Sequence, residues 1–216
     1  MRVTVIGGHG RTGLLLVQQL LAHKHAVLAT IRNPKHAADL AELGAETVLL
    51  DLEHSRLEEI VTAMQGSDAV IFAAGSAEGE GSAIDRKGTL RTVRAAEKAG
   101  VARYIAISAI GASTGLSTRS MTEEMKDYYR QKRAAAKHIT ASSLDWTIVE
   151  PAELTEDAAS GTVTAGLDRI EQKPVARADV AAFVIATLDY PRSIGKAIQL
   201  AGGGTTISAA LKAALT

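Results

Sequence analysis

Short, nearly unbroken apolar runs alternate along this chain with segments whose apolar residues return every three to four positions. The runs Val3–Ile6, Ala26–Ile31, Thr47–Leu50, Ala69–Ala73, Tyr104–Ser108 and Trp146–Glu150 predict strands. Their lack of a polar alternation predicts a sheet covered on both faces. Between them, Arg11–His23, Lys35–Leu43, Leu57–Met64, Ile84–Ala99 and Met121–Ser142 carry the helical period. Strand and helix taking turns across short connections predict an α/β fold, a doubly wound parallel sheet with helices on both faces.

The last third is less regular. Gly161–Gly166 reads as a short extended piece, and Arg177–Leu188 as a helix with Val180, Phe183, Val184 and Leu188 on one face. Ala197–Leu200 reads as a final strand, followed by Gly202-Gly203-Gly204 and a short terminal helix. No linker-like stretch and no internal repeat interrupts the chain. Residues 1–216 are therefore expected to form one domain. Residues 151–216 are expected to contribute a substrate-side cap over the carboxyl ends of the strands, where open α/β sheets bind ligands.

The first strand runs directly into Gly7-Gly8-His9-Gly10-Arg11-Thr12-Gly13, and that turn opens the first helix. A helix N-terminus offers unpaired N–H groups and positive dipole charge, and glycines remove the side chains that would keep a pyrophosphate away. Both Gly7/Gly10/Gly13 and Gly8/Gly10/Gly13 fit a dinucleotide fingerprint. An NAD site usually places Asp or Glu at the end of the second strand. Here that end reads Ile31-Arg32-Asn33-Pro34-Lys35. A guanidinium suits a phosphate, so Arg32 points to the 2′-phosphate of NADP, with Arg11 available to the same phosphate or to the pyrophosphate. Asp51, before Leu52 and Glu53, is placed either to accept from an adenine amino group or simply to cap a turn. The fourth strand ends Ala73-Ala74-Gly75-Ser76, small residues that let backbone approach a ribose.

Ser108 ends the fifth strand, and Tyr128 and Lys132 follow one helical turn apart. An ammonium beside a phenol favours its ionised form, which suits a proton donor or acceptor. A hydroxyl at the strand end would hold a substrate oxygen. With the glycine turn upstream, the order fits hydride exchange between a nicotinamide and a carbonyl or alcohol.

These motifs together resemble an atypical short-chain dehydrogenase/reductase of the NAD(P)-binding, epimerase/dehydratase-like subgroup. The resemblance spans nearly the whole chain. It rests on residues 7–13, Arg32, Asp51-Leu52, Ala73-Ala74-Gly75, Ala106-Ile107-Ser108-Ala109, Tyr128 with Lys132, Val149-Glu150-Pro151 and Ala178-Asp179-Val180-Ala181. It implies a Rossmann fold, bound NADP and a Ser–Tyr–Lys centre. Ser108 would orient the carbonyl, Tyr128 would be the acid/base, and Lys132 would bind the nicotinamide ribose and tune Tyr128. Pro151 would line the nicotinamide. Asp85 stands where the wider family carries an Asn. The short C-terminal region argues against a nucleotide-sugar substrate. With Arg32, Tyr128 and Lys132 downstream, the Gly7/Gly10/Gly13 register is the better of the two.

Composition narrows the partners. With 24 basic and 24 acidic residues the chain has no net charge, and one Trp, two Phe and four Tyr give no base-stacking surface. A small-molecule substrate is expected, with no nucleic acid and no membrane, and with monomer and homodimer both open. The absence of cysteine excludes disulfides and thiolate chemistry. The chain opens on a strand without a signal-like segment, so a cytoplasmic location is expected. His23, His25, His36, His54 and His138 are scattered and read as solvated, His9 as a cofactor contact, Trp146 as core, and no metal site is expected. The functional reading is an NADP-dependent oxidoreductase acting on a small carbonyl-like or quinone/flavin-like acceptor. Two alternatives are a non-catalytic NADP-binding redox sensor with a protein partner, and a flavin or quinone reductase in which Tyr128 is dispensable.

Overall fold

The computed structural model describes residues 1–75, 83–115 and 120–216. Its elements run β1 (Arg2–Ile6), α1 (Arg11–Ala22), β2 (Ala26–Ile31), a 3-10 turn (Pro34–His36), α2 (Ala37–Glu42), β3 (Glu46–Leu49), α3 (Leu57–Met64), β4 (Ala69–Phe72), α4 (Ala83–Ala99), β5 (Arg103–Ile107), α5 (Glu123–Thr140) and β6 (Asp145–Pro151). They continue with β7 (Leu154–Thr155), β8 (Thr162–Gly166), β9 (Val175–Ala176), α6 (Arg177–Leu188), a 3-10 turn (Pro191–Ser193), β10 (Lys196–Gly202), β11 (Thr205–Thr206) and α7 (Ile207–Ala214).

The main sheet has the order β11-β8-β10-β6-β5-β4-β1-β2-β3. From β3 to β10 neighbouring strands are parallel, as expected. The far edge differs, because β8 runs antiparallel to β10 and to β11. Only β10 and β11 are joined by a short turn, Gly203-Gly204; β8 reaches β10 through β9 and α6. A second, two-stranded sheet pairs Leu154 with Val175 and Thr155 with Ala176.

Successive strand residues feed opposite faces, as a pleated strand requires. Val3, Val5, Ile71, Ile105 and Val149 join the core under α1 and α6. Ile6, Val70, Phe72, Tyr104 and Ile148 join the core under α3, α4 and α5. Apolar residues on both faces explain the unbroken strand runs.

Two helices differ from the sequence reading. In place of one helix over 35–43, the Asn33 side chain accepts from Lys35 N (3.0 Å) and Pro34 opens a 3-10 turn, so the α-helix starts only at Ala37. Helix α5 starts at Glu123 because the Thr122 hydroxyl accepts from Met125 N at 3.3 Å, with Glu123 and Glu124 in its first turn.

Candidate functional site

Strand order reverses between β1 and β4, and a crevice opens at the carboxyl ends of such neighbours. Here it is a cavity of about 690 Å³. Gly7, His9 and Gly10 line it from the turn after β1, Arg32 and Asn33 from the end of β2. Asp51 and Leu52 line it from the loop after β3, and Ala73, Ala74 and Gly75 from the end of β4. Ser76 lies outside the described residues.

The glycine turn is held by close packing. Gly7 has φ +81°, and a Cβ there would stand 2.8 Å from Ala74 Cα. A Cβ on Gly13 would stand 2.1 Å from Gly7 O, so α1 reaches the turn only because position 13 has no side chain. Gly10 begins α1 with no side-chain cap, and no acid occupies the first turn. The amide end of α1 is thus left to an anion. Arg11 turns aside, its Nη1 3.0 Å from Glu156 Oε1, which also accepts from Arg177 Nε at 2.8 Å. Thr12 and Gly13 sit in the first turn of α1 rather than on the cavity wall.

Several wall residues were not anticipated: Thr30, Ile31, His36, Leu50, Glu53 and Ile84. Thr30 Oγ1 accepts from Gly7 N at 3.0 Å and so ties β2 to the turn. Asp51 is a turn acid: it accepts from Glu53 N (2.9 Å) and contacts His54 Nδ1 (3.0 Å). Those bonds, first the Glu53 amide and then His54, hold its carboxyl below the usual range. Arg91 of α4 pins the same loop through the carbonyls of Leu52 and Ser55. Asp51, Glu53 and His54 come close enough to share an ion, but Glu53 and His54 are exposed and exposed acidic groups commonly cluster without a metal. Trp146 is half-buried against the second core.

The β5–β6 end is built from buried charge. Ser108 follows β5 and donates its amide to Val149 O at 2.8 Å, which fixes it at the carboxyl edge of the sheet. Pro151 ends β6 and accepts from Ile110 N at 2.9 Å. On α5, Lys132 is 7% exposed and places Nζ 5.5 Å from the centre of the Tyr128 ring. The same Nζ lies 2.8 Å from Oδ1 of Asp85, itself 1% exposed. Burial works to lower the Lys132 pKa, yet Tyr128 and Asp85 outweigh it and hold the ammonium above the usual lysine range. Tyr128 is half-buried and meets Tyr129 edge-to-face, ring centres 5.4 Å apart. Tyr129 is buried, and burial, with Tyr128 and Glu150, pushes its phenol upward.

Glu150 was legible only as part of a motif, with no role. It is fully buried, Oε1 accepts from Ser113 N at 2.7 Å, and Oε2 has no hydrogen-bond partner. Burial pushes its carboxyl up, against the lowering effect of the Ser113 and Gly111 amides. No helix among the described residues is long and apolar enough to cross a membrane.

This geometry has close parallels. The family model described as NAD(P)H-binding matches residues 7–191. A Bacillus subtilis protein named an uncharacterized sugar epimerase, YhfK, is 38% identical over 98% of this chain and 99% of its own. A Saccharomyces cerevisiae UPF0659 protein, YMR090W, is 33% identical over 94% of each. A solved structure from Bacillus halodurans that carries an NAD-dependent epimerase/dehydratase name is 32% identical, covers 99% of both chains and superposes with a TM-score of 0.90. The crevice at the sheet reversal, the uncapped α1 and these relatives lead to one assignment: the chain belongs to the NAD(P)H-binding family of Rossmann-type α/β proteins.

Proposed function

We propose that this protein is an NADP-dependent oxidoreductase of the atypical short-chain dehydrogenase/reductase type, acting on a small carbonyl-like or quinone/flavin-like acceptor. One observation carries the reading. A buried ammonium is costly unless it has partners. Here Lys132 is held between Asp85 and the face of Tyr128, outside the cavity lining, while Ser108 and Pro151 stand at the carboxyl ends of β5 and β6.

The groups fit a dinucleotide. The bare N-terminus of α1 would take the pyrophosphate, and Ala73, Ala74 and Gly75 would leave room for a ribose. Arg32 lines the cavity at a strand end without an acid, which favours a phosphorylated ribose. When bound, the nicotinamide supplies or takes the hydride. The chain's own residues manage the proton and the substrate. Ser108 holds the substrate oxygen. Tyr128 gives it a proton or removes one. Lys132 binds the nicotinamide ribose and keeps positive charge beside the phenol, while Asp85 keeps Lys132 charged and oriented. Pro151 and the backbone after it line the nicotinamide. Residues 151–216 supply the substrate side, and the whole chain works as one domain.

NADPH consumption across a panel of aldehydes, quinones and flavins tests this reading. Turnover with at least one class is expected, with Tyr128→Phe lowering kcat roughly 10²-fold or more. Activity that survives Tyr128→Phe removes the acid/base assignment. Silence across the panel together with tight NADPH binding favours the non-catalytic sensor. Arg32→Ala should weaken NADPH more than NADH, and equal losses would remove the NADP preference.

A further inference from the structure

We propose that His9 and His36 form a proton-dependent reader of the cofactor's ribose 2′-phosphate, so that NADP is selected by proton uptake as well as by Arg32. The inference rests on the NADP reading above and adds two residues and a pH dependence to it. His9 lies in the glycine turn and His36 in the 3-10 turn before α2, and their rings stack 3.6 Å apart, 9° from parallel. Both line the cavity together with Arg32 and Asn33.

Asp39 of α2 fixes the state of His9. Its Oδ2 stands 2.9 Å from His9 Nε2. An ionised carboxylate only accepts, so Nε2 carries the hydrogen. The neutral His9 ring then presents a lone pair at Nδ1, which turns a phosphate oxygen away. The doubly protonated ring donates to Asp39 and to an anion at once. Stacked against it, a protonated His36 would bring a second positive charge to the same spot. Such a pair is unfavourable alone and favourable once an anion lies against both.

The surrounding charges agree with this placement. Arg32 stands on the same wall and Lys35 lies one residue before His36. Arg11, at the start of α1, is engaged by Glu156. The acids Asp51 and Glu53 line the cavity from the β3 loop, where Asp51 is bonded to the Glu53 amide and contacts His54. Asp39 of α2 is a further acid nearby, and its charge is already directed at His9.

Calorimetric titration of the whole chain with adenosine 2′,5′-bisphosphate and with 5′-AMP, in buffers of different ionisation enthalpy, tests the reader. The wild type is expected to bind the bisphosphate about tenfold or more tightly near pH 6, with the lead narrowing toward about pH 8. Its proton uptake should exceed that of His9→Gln. His9→Gln and His36→Gln should each cut the lead several-fold and flatten its pH dependence, with the loss confined to the bisphosphate. Variants that keep the wild-type lead and pH profile overturn the histidine reader and leave the NADP reading standing. A wild type with no excess proton uptake also overturns the reader, without relying on any variant. Equal binding of the two nucleotides by the wild type overturns both.

Discussion

Two regions at the carboxyl edge of the sheet, the cavity at β1–β4 and the cluster beyond it at β5–β6, handle charge in opposite ways. At the β1–β3 end, backbone amides, half-exposed imidazoles and an Asp51 turn make the wall, with His9 bonded to Asp39 and Asp51 to the Glu53 amide. At the β5–β6 end, Lys132, Asp85 and Glu150 are taken out of water altogether. The first arrangement tolerates changes of side chain but not of backbone shape. The second tolerates changes of shape but not the loss of one charge from a set. The first suits recognition of a large polar cofactor; the second suits chemistry on a small group.

Substitutions can break this contrast at different points. The largest effect is expected from Asp85→Ala, which leaves the Lys132 ammonium buried without its carboxylate. Chemical denaturation should show a loss on the order of 3 kcal/mol. Asp85→Leu combined with Lys132→Met should recover much of that stability while abolishing turnover. A double variant as unstable as the single would mean that packing, not charge, dominates there. Next comes Gly13→Ala at the opposite end. Its Cβ would strike the Gly7 carbonyl, which is backbone and cannot swing aside. A loss of about 1–3 kcal/mol is expected, with dinucleotide binding lost well before the fold.

The smallest effect is a pH dependence. Glu150 has its carboxyl pKa raised by burial, so the folded state binds its proton more tightly than the unfolded state does. Stability from this group is complete below the ordinary carboxylate pKa. It declines as pH rises from there through the raised value. Glu150→Gln should remove that decline, so the melting temperatures of wild type and variant diverge as pH rises through the window. Parallel curves would mean that Glu150 is ionised in both states.

Legibility in the sequence followed the range of the interactions. The β1–turn–α1 unit was readable because every group that defines it lies within residues 3–22. Arg32 and the strand ends of β2, β3 and β4 were readable for the same reason, and they line one cavity. The two-residue strands β7, β9 and β11 were not, because pairing of Leu154 with Val175 leaves no periodicity to detect. The antiparallel edge was missed because a single extended piece at 161–166 carries no direction. His36 read as solvated because nothing local shows that the Pro34 turn brings its ring onto His9. Asp85 was noticed as a substitute for an amide, but its bond to Lys132 joins α4 to α5 and exists only once both helices are docked. Glu150 looked like the polar end of a strand. It is fully buried, and its partner Ser113 lies in a loop 37 residues earlier, a contact that exists only in the folded chain.

One packing contact bears on how the chain is made. Helix α1, whose first turn faces the cofactor site, lies against α6 from the last third, and Gln19 Nε2 donates to Ala178 O at 3.0 Å across that seam. During synthesis the glycine turn emerges well before α6, the partner of its helix. A nascent chain that has released only β1–β6 holds all the glycines of the turn but has an uncovered apolar face where α6 will dock. The helix that carries the dinucleotide site is therefore supported only once α6 is made, and a chain cut before residue 177 would leave the ribosome with that helix unsupported.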